Sequence, residues 1–326
     1  MANAHIRGET LDDVLHEVIE SILAHGVRIH PTKGEALEFS GVLLEILNPR
    51  ARLSRTETRG KAFSALGELC WYLAGTADAD FISYYIPPYR DVADDGVIYG
   101  GYGLRLFNWD GLNQVKSLTE MLRRKPDSRR AVVQLFDRAD LAAGKHDVPC
   151  TCTLQFLVRE NKLQLLTNMR SNDVHWGLPH DVFCFTSLQE IMARSLGVEL
   201  GSYKHIVGSL HLYTKDTGPA KRFLREGWQS TAPVMPEMPE GDPWTSIRRL
   251  LVAEAELRMT GKIDTANLSE LPPYWADLVR LLHVFRLKQD GNLPEMRRVR
   301  EQMSNDVYAP FIDGLIRKLT SVKPSG

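Results

Sequence analysis

Cysteine is scarce in this chain of 326 residues: there are four, at positions 70, 150, 152 and 184, with no spacing of the kind a disulfide framework shows. Reduced thiols are expected. Cys150 and Cys152 could be half of a metal site, but no second Cys pair accompanies them, so no metal site is expected either. An excess of charge is also missing. With 40 Lys and Arg against 41 Asp and Glu, the net charge of -1 gives no general attraction to nucleic acid or anionic lipid, and a bound phosphate must be met by local arginines. No apolar run approaches the roughly 20 residues of a membrane span. The first ten residues lack the layout of a signal peptide, and a cytoplasmic protein is expected. What is present is 43% apolar and 25% charged residues, the balance of a globular chain long enough to bury a large core.

Periodicity divides the chain in two. Helical spacing runs over residues 10 to 25, with Gly26 as a stop, and over 61 to 74, with Glu68 inside and Gly75 at the end. Strands are expected between Leu37 and Leu53. Residues 86 to 103 hold two prolines and four glycines and predict a surface loop of the kind that lines sites. A helix at about 111 to 124 and a short strand from Ala131 to Phe136 follow. From Cys150 to Arg170 the period is two with a turn at Arg159 to Lys162, an antiparallel hairpin. A helix covers about 181 to 196, and His211 and Tyr213 end the next extended segment. Ala232 to Pro243 carries four prolines in twelve residues, which resists both helix and sheet. The expected division is therefore a catalytic domain over 1–231, then a proline-rich linker and helical appendage over 232–326.

Chemistry gathers around Cys150. A thiol after a proline at the start of an apolar strand can be presented as a nucleophile, although a strand cysteine is ordinarily a small buried hydrophobe. Arg129-Arg130 and Arg170-Ser171 end extended segments, and guanidinium forks beside a hydroxyl suit a phosphate monoester. Such cations would lower the thiol pKa. Asp181, in Gly-Leu-Pro-His-Asp-Val, places a carboxylate in a turn where it can read the edge of a ring.

Asp-Ser-Arg-Arg at 127 to 130, Val-Pro-Cys at 148 to 150, Arg-Ser-Asn-Asp-Val-His-Trp-Gly-Leu-Pro-His-Asp-Val at 170 to 182 and Leu-His-Leu-Tyr at 210 to 213 resemble the thymidylate synthase family in order and spacing. Gly-Glu-Leu-Cys-Trp-Tyr-Leu-Ala-Gly at 67 to 75 and Tyr99-Gly100 fit the same pattern, so the resemblance covers about residues 10 to 215. It implies an α+β fold, a mixed sheet packed with helices, in a homodimer whose sheets stack back to back. It implies that Cys150 adds to C6 of a pyrimidine nucleotide and that methylenetetrahydrofolate donates the one-carbon unit. Glu68 would organise water and proton transfers, and Tyr99 would assist removal of the C5 proton. Arg170 and Ser171 would hold the phosphate, with Arg129 and Arg130 supplied across the dimer interface. His211 and Tyr213 would contact the sugar, and Asp173 the pterin. Arg28 and Lys33 are both candidates for an amino-terminal phosphate ligand. Taken singly, each of these residues has an ordinary structural explanation. Their order on one template favours the functional one.

Two departures redirect the substrate. Asp181 stands where the uracil-using synthases have Asn, and a carboxylate accepts from the cytosine amino group and can share a proton with N3. Tyr89 and Val92 stand where the synthases have tryptophans, which implies a more open wall that admits water. The end, Ser-Val-Lys-Pro-Ser-Gly, lacks the apolar tail that closes the synthase site. Thr151 and His180 also differ from the usual residues. The resemblance is nearest to the cytidylate (CMP or dCMP) 5-hydroxymethylase branch, which includes mildiomycin-type nucleoside-antibiotic enzymes, and CMP is favoured over dCMP. The alternatives are a dUMP-methylating synthase and a non-catalytic nucleotide-binding protein of the same fold.

Overall fold

Alternating apolar residues from Thr151 to Asp173 fold into a hairpin within a seven-stranded mixed sheet. The computed structural model describes residues 5–58, 60–142, 144–264 and 268–321. Most of the carboxyl-terminal hexapeptide named above lies outside them. In chain order the elements are β1 (His5–Gly8), α1 (Leu11–His25), β2 (Val27–Ile29), β3 (Ala36–Ile46), α2 (Ala62–Leu73), α3 (Ala79–Tyr85), a 3-10 turn (Pro87–Val92), α4 (Tyr102–Phe107), α5 (Gln114–Arg124) and β4 (Val132–Gln134). Then come β5 (Thr151–Arg159), β6 (Lys162–Asp173), α6 (Gly177–Leu196), β7 (Glu199–Tyr213), α7 (Thr217–Arg225), α8 (Trp244–Thr260), α9 (Pro273–Gln289), α10 (Leu293–Glu301) and α11 (Ala309–Ser321).

The strand order is β1-β3-β7-β6-β5-β4, with β2 also on β3. Glu160 and Asn161 turn the β5–β6 hairpin at φ 51° and 57°, the left-handed pair whose twist suits a two-residue loop. β6 and β7 run parallel, which requires a crossover, and α6 supplies it. That helix is buried on nearly every side, polar residues included. Its polar residues are paired inside: Gln189 donates to the carbonyls of Leu163 and Gly201 at 2.9 and 3.0 Å, and Glu190 pairs with Arg52. On the other face of the sheet, Gln155, Leu157, Gln164, Leu166, Lys204 and Ile206 are half-buried.

The expected strands between Leu37 and Leu53 are one strand, β3, followed by a turn in which Ala51 N donates to Asn48 O. The 86–103 segment is less superficial than its composition suggests. Pro87 and Pro88 preset a 3-10 turn, and Ile98 and Gly100 are buried behind it. α2 and α3 meet so closely that a Cβ on Gly67 would lie 2.1 Å from the Tyr85 ring, which brings the helix carrying Glu68 inward. The proline-rich stretch has neither helix nor strand, yet Met235 and Met238 are buried and their N–H groups donate to Arg50 O and Glu190 Oε1. Beyond it α8 and α9 join the same apolar cluster: Tyr85 donates to Glu254 at 2.9 Å and packs on Phe285. No helix among the described residues is long and apolar enough to cross a membrane.

Candidate active site

Cys150 lies just before β5, half-buried, and the fold clamps it from the neighbouring strand. Arg170 N donates to Cys150 O at 2.8 Å, while the Arg170 guanidinium donates to Pro149 O at 2.9 Å and Val148 O at 3.0 Å. The expectation that cations lower this thiol's pKa is corrected. Burial raises it, Arg170 and Lys33 oppose the rise, Asp181 and Asp147 add to it, and the net direction is upward. The resting thiol is therefore neutral, and a thiolate must be generated for attack.

Two carboxyls, Asp181 and Asp147, act on it and a third, Glu68, interacts with both of them; all three are held above their ordinary range. Glu68 is buried on α2, and its Oε1 accepts from Tyr72 and Tyr89, each at 3.0 Å. Burial pushes its carboxyl up to about 7, against those two hydrogen bonds and with a further push from Asp147. A group poised there can both give and take a proton near neutrality. Asp147 is raised by burial, with Lys33 and Arg170 opposing. It leaves so little space that a Cβ on Gly100 would lie 2.5 Å from its Oδ2.

The third carboxyl is Asp181. It does not sit in a Gly-Leu-Pro turn, because α6 begins at Gly177 and takes Asp181 into its second turn. Asn172 Nδ2 donates to its Oδ2 at 2.6 Å. Burial raises its pKa well above the carboxylate range, Glu68 adds to this, and the Asn172 bond opposes it. His180, the residue before it, is tied to Ser64 at 2.9 Å and to Trp176 O at 3.1 Å.

Two tyrosines change places relative to the expectation. Tyr99 is half-buried, with its ring 5.2 Å from the Arg105 guanidinium, beside the Arg105–Asp140 ion pair. Tyr102, three residues on, stacks on Phe185, and its hydroxyl accepts from Thr151 N at 3.0 Å, next to the thiol. Burial lifts its phenol well above the ordinary range, with Cys150 and Asp181 adding to the shift. The sequence signal was a second Tyr-Gly pair, Tyr102-Gly103. The expected open wall differs too. Tyr89 packs 5.7 Å from Trp71 and remains an aromatic wall, but one with a hydroxyl on Glu68. Asn172 and Asp147 were also missed, the first within a motif read for other residues and the second immediately before one.

The remaining assignments separate by position. Ser171 pairs with Ser209, and Asp173 with His211, across β6 and β7. His211 is buried edge-on to Tyr213 at 4.9 Å, which puts Asp173, His211 and Tyr213 at one end of the sheet. Asp173 accepts from His175 N at 2.8 Å, and burial raises its carboxyl. With one oxygen engaged by the His175 N–H, the carboxyl keeps acceptor capacity for the edge of a pterin. Nearby, beside His175 and Trp176, an open basin of about 980 Å³ carries Arg55, Lys61, Arg222 and Arg225, which fits an anionic tail. Arg28 is paired with Glu35, whereas Lys33 acts on both Cys150 and Asp147. Arg129 and Arg130 are exposed at the far end of the β4–β5 pair, where Phe156 N donates to Ala131 O. Six residues of strand at about 3.4 Å each put that point about 20 Å from Cys150. Within one chain, this arginine pair is not brought to the thiol.

Similarity to known proteins agrees with this geometry. The family model described as thymidylate synthase matches residues 16–240. The deoxyuridylate hydroxymethyltransferase of Bacillus phage SP01 is 32% identical over 217 residues, covering 62% of this chain and 57% of that protein. The deoxyuridylate hydroxymethyltransferase of Pseudomonas phage M6 is 29% identical over 214 residues, covering 64% and 61%. Thymidylate synthase of Bacillus licheniformis is 38% identical over 128 residues, covering 37% and 46%. The match spans less than two thirds of either phage protein's length. Since the matched segment takes in the thiol, the carboxyls around it and the sheet from β3 to β7, the chain belongs to the thymidylate synthase family.

Proposed function

We propose that the chain is a folate-dependent cytidylate 5-hydroxymethylase, a pyrimidine nucleotide one-carbon transferase, with CMP favoured over dCMP. The observation that carries this reading is Asp181: a buried carboxyl, raised above its ordinary range, close enough to Cys150 to act on its thiol. A neutral acid donates to the bare N3 of cytosine and, once ionised, accepts from the N4 amino group. Uracil presents a donor at N3 and an acceptor at O4, which this carboxyl matches less well.

Each residue then has a task. Cys150 Sγ, as thiolate, bonds to C6, and the proton of Asp181 goes to N3. Tyr102, whose hydroxyl sits beside the thiol's own peptide, assists removal of the C5 proton; Tyr99 lies toward Arg105 instead. Methylenetetrahydrofolate, the family's one-carbon donor, supplies a carbon at the oxidation level of formaldehyde when bound, with Asp173 holding its pterin. Glu68, poised at about 7, takes a proton from the water whose hydroxide adds to the methylene at C5. Cys150 then leaves C6 as a thiolate, restoring the ring double bond, N3 returns its proton to Asp181, and the folate is released as tetrahydrofolate. Arg170 and Ser171 hold the phosphate, and His211 and Tyr213 the sugar. Arg129 and Arg130 reach the phosphate from a second subunit, in a homodimer joined through the sheet face that carries Leu157, Leu166 and Ile206.

A second reading is hydroxymethylation of a uridylate, which the two phage deoxyuridylate hydroxymethyltransferases favour. One experiment separates the two. The protein is incubated with methylenetetrahydrofolate and equal CMP, dCMP, UMP and dUMP, and the modified nucleotide is identified by mass. 5-Hydroxymethyl-CMP supports the proposal and a hydroxymethyl uridylate the second reading. Thymidylate formed with dihydrofolate, seen as rising absorbance, overturns both. Tritium release from 5-labelled CMP that survives Cys150→Ala would overturn the covalent mechanism itself.

A further inference from the structure

Asn172 is an expensive residue where it stands. It is buried on β6, its Oδ1 is buried with no hydrogen-bond partner among the described residues, and its strong bond is to Asp181 Oδ2 at 2.6 Å. A bare buried acceptor costs stability, so an apolar residue of similar size would serve the fold as well or better. The amide's orientation is set from two sides, because Nδ2 also lies 3.3 Å from the thioether of Met169 and both neighbours accept hydrogen bonds.

That bond has a consequence for the acid. An oxygen that accepts from an amide N–H is the poorer place for a proton, so a neutral Asp181 carries its proton on Oδ1. We infer that Asn172 is a positioning residue: by occupying Asp181 Oδ2 it assigns the acid's proton to Oδ1, the oxygen left to face the ring nitrogen of the substrate. The inference rests on the cytidylate reading above. In the step itself, the thiolate of Cys150 forms the S–C6 bond and the C5–C6 π pair shifts through C4 to N3. The Oδ1–H bond breaks as the N3–H bond forms, and the new carboxylate is met at Oδ2 by the amide already in place. A donor to the charged form favours it, so the same bond aids both the placement of the proton and its release.

The surroundings leave this task to Asn172. Glu68 and Tyr72 from α2, Tyr102 from α4, Cys150 before β5, Asp173 from β6, Cys184 from α6 and Tyr203 from β7 face the carboxyl. All are acids, thiols or phenols, and of the phenols Tyr72 is committed to Glu68 and Tyr203 to His205. Among the described residues Asn172 is the hydrogen-bond donor recorded on the Asp181 side chain.

The test compares Asn172→Val with Asn172→Thr in the full-length protein, a near-isosteric pair of which only Thr has a hydroxyl to donate. The protonated-carboxyl stretch of Asp181, assigned in the infrared by its loss in Asp181→Asn, is titrated in the free protein. In Asn172→Val its midpoint is expected to move up by about one pH unit while the melting temperature holds or rises. CMP turnover is expected to fall at least about tenfold with a smaller change in KM, as for an interaction that strengthens in the transition state. Thr is expected to restore part of both. An unmoved infrared midpoint with unmoved turnover would overturn the inference, as would a turnover loss that tracks a lowered melting temperature. If the native protein makes no cytidylate product, the infrared shift still decides whether Asn172 governs Asp181, and the missing product counts against the cytidylate reading alone.

Discussion

Asp181 and Glu190 lie nine residues apart on α6, both buried, and the fold treats them in opposite ways. Glu190 is paired with the buried guanidinium of Arg52, which also bonds Ser187, and it accepts from Met238 N, so its charge is compensated. Asp181 has an amide donor, a second carboxyl nearby and a pKa driven upward. The first arrangement fastens β3's exit, α6 and the proline-rich stretch together. The second holds a proton in store. A buried carboxyl facing a cation belongs to the architecture, whereas one facing an amide and other acids is available to react.

The contrast can be broken at either end. The largest expected effect is on the architectural side: Arg52→Met leaves Glu190 buried and uncompensated and is expected to cost about 3–5 kcal/mol in denaturant unfolding. A smaller cost from this substitution would show that the pair is not what fastens the helix. Next is Glu68, a reactive carboxyl whose native pKa of about 7 stands above its ordinary 4.5. A raised carboxyl stabilises the fold fully below its unfolded pKa, and this contribution is lost as pH rises from about 4.5 through 7. Glu68→Gln, which cannot ionise, is therefore expected to be more stable than the native protein at pH 8 by about 3 kcal/mol and no more stable at pH 4. Equal stabilities at pH 8 would argue against a stored proton.

Asp181→Asn removes the reactive carboxyl and is expected to shift base preference from cytidylate toward uridylate by about 100-fold in kcat/KM. Competition assays on both nucleotides would check this, and an unchanged preference would remove Asp181 as the base reader. The smallest effect is expected from Tyr89→Phe. Losing a hydrogen bond that holds the Glu68 pKa down should move the limb of the kcat profile governed by Glu68 to higher pH by less than about one unit, with a fall in kcat of about tenfold. An unmoved limb would mean that Tyr72 alone sets that acid.

Much of this was legible in the chain because the signals were local. The β5–β6 hairpin followed from strict alternation interrupted by a turn at Arg159 to Lys162, and α1 and α2 from apolar spacing closed by glycine. The ordered motifs around Cys150, Arg170 and Asp181 carried the family. What escaped depended on packing across the sheet. Nothing local distinguishes Tyr99 from Tyr102, since both precede glycine, and only the docking of α4 against Phe185 brings one of them to the thiol. Asn172 alternates with residues read for phosphate and pterin, and its tie to Asp181 exists only once β6 and α6 are packed. The direction of the Cys150 shift was misjudged because the cations are visible in sequence, whereas burial and the approach of Asp147 are not.

Arg170 does two things with one side chain. Its guanidinium is a latch on the peptide that leads into Cys150, through the carbonyls of Val148 and Pro149. On the proposed reading it is also the phosphate's ligand. A bound phosphate therefore pulls on the latch, and the thiol is set into line by the part of the substrate farthest from the reaction. Docking and alignment become one mechanical event. Cytidine, which lacks that handle, is expected to lose turnover as well as affinity, so the protein would check for a nucleotide before committing its cysteine.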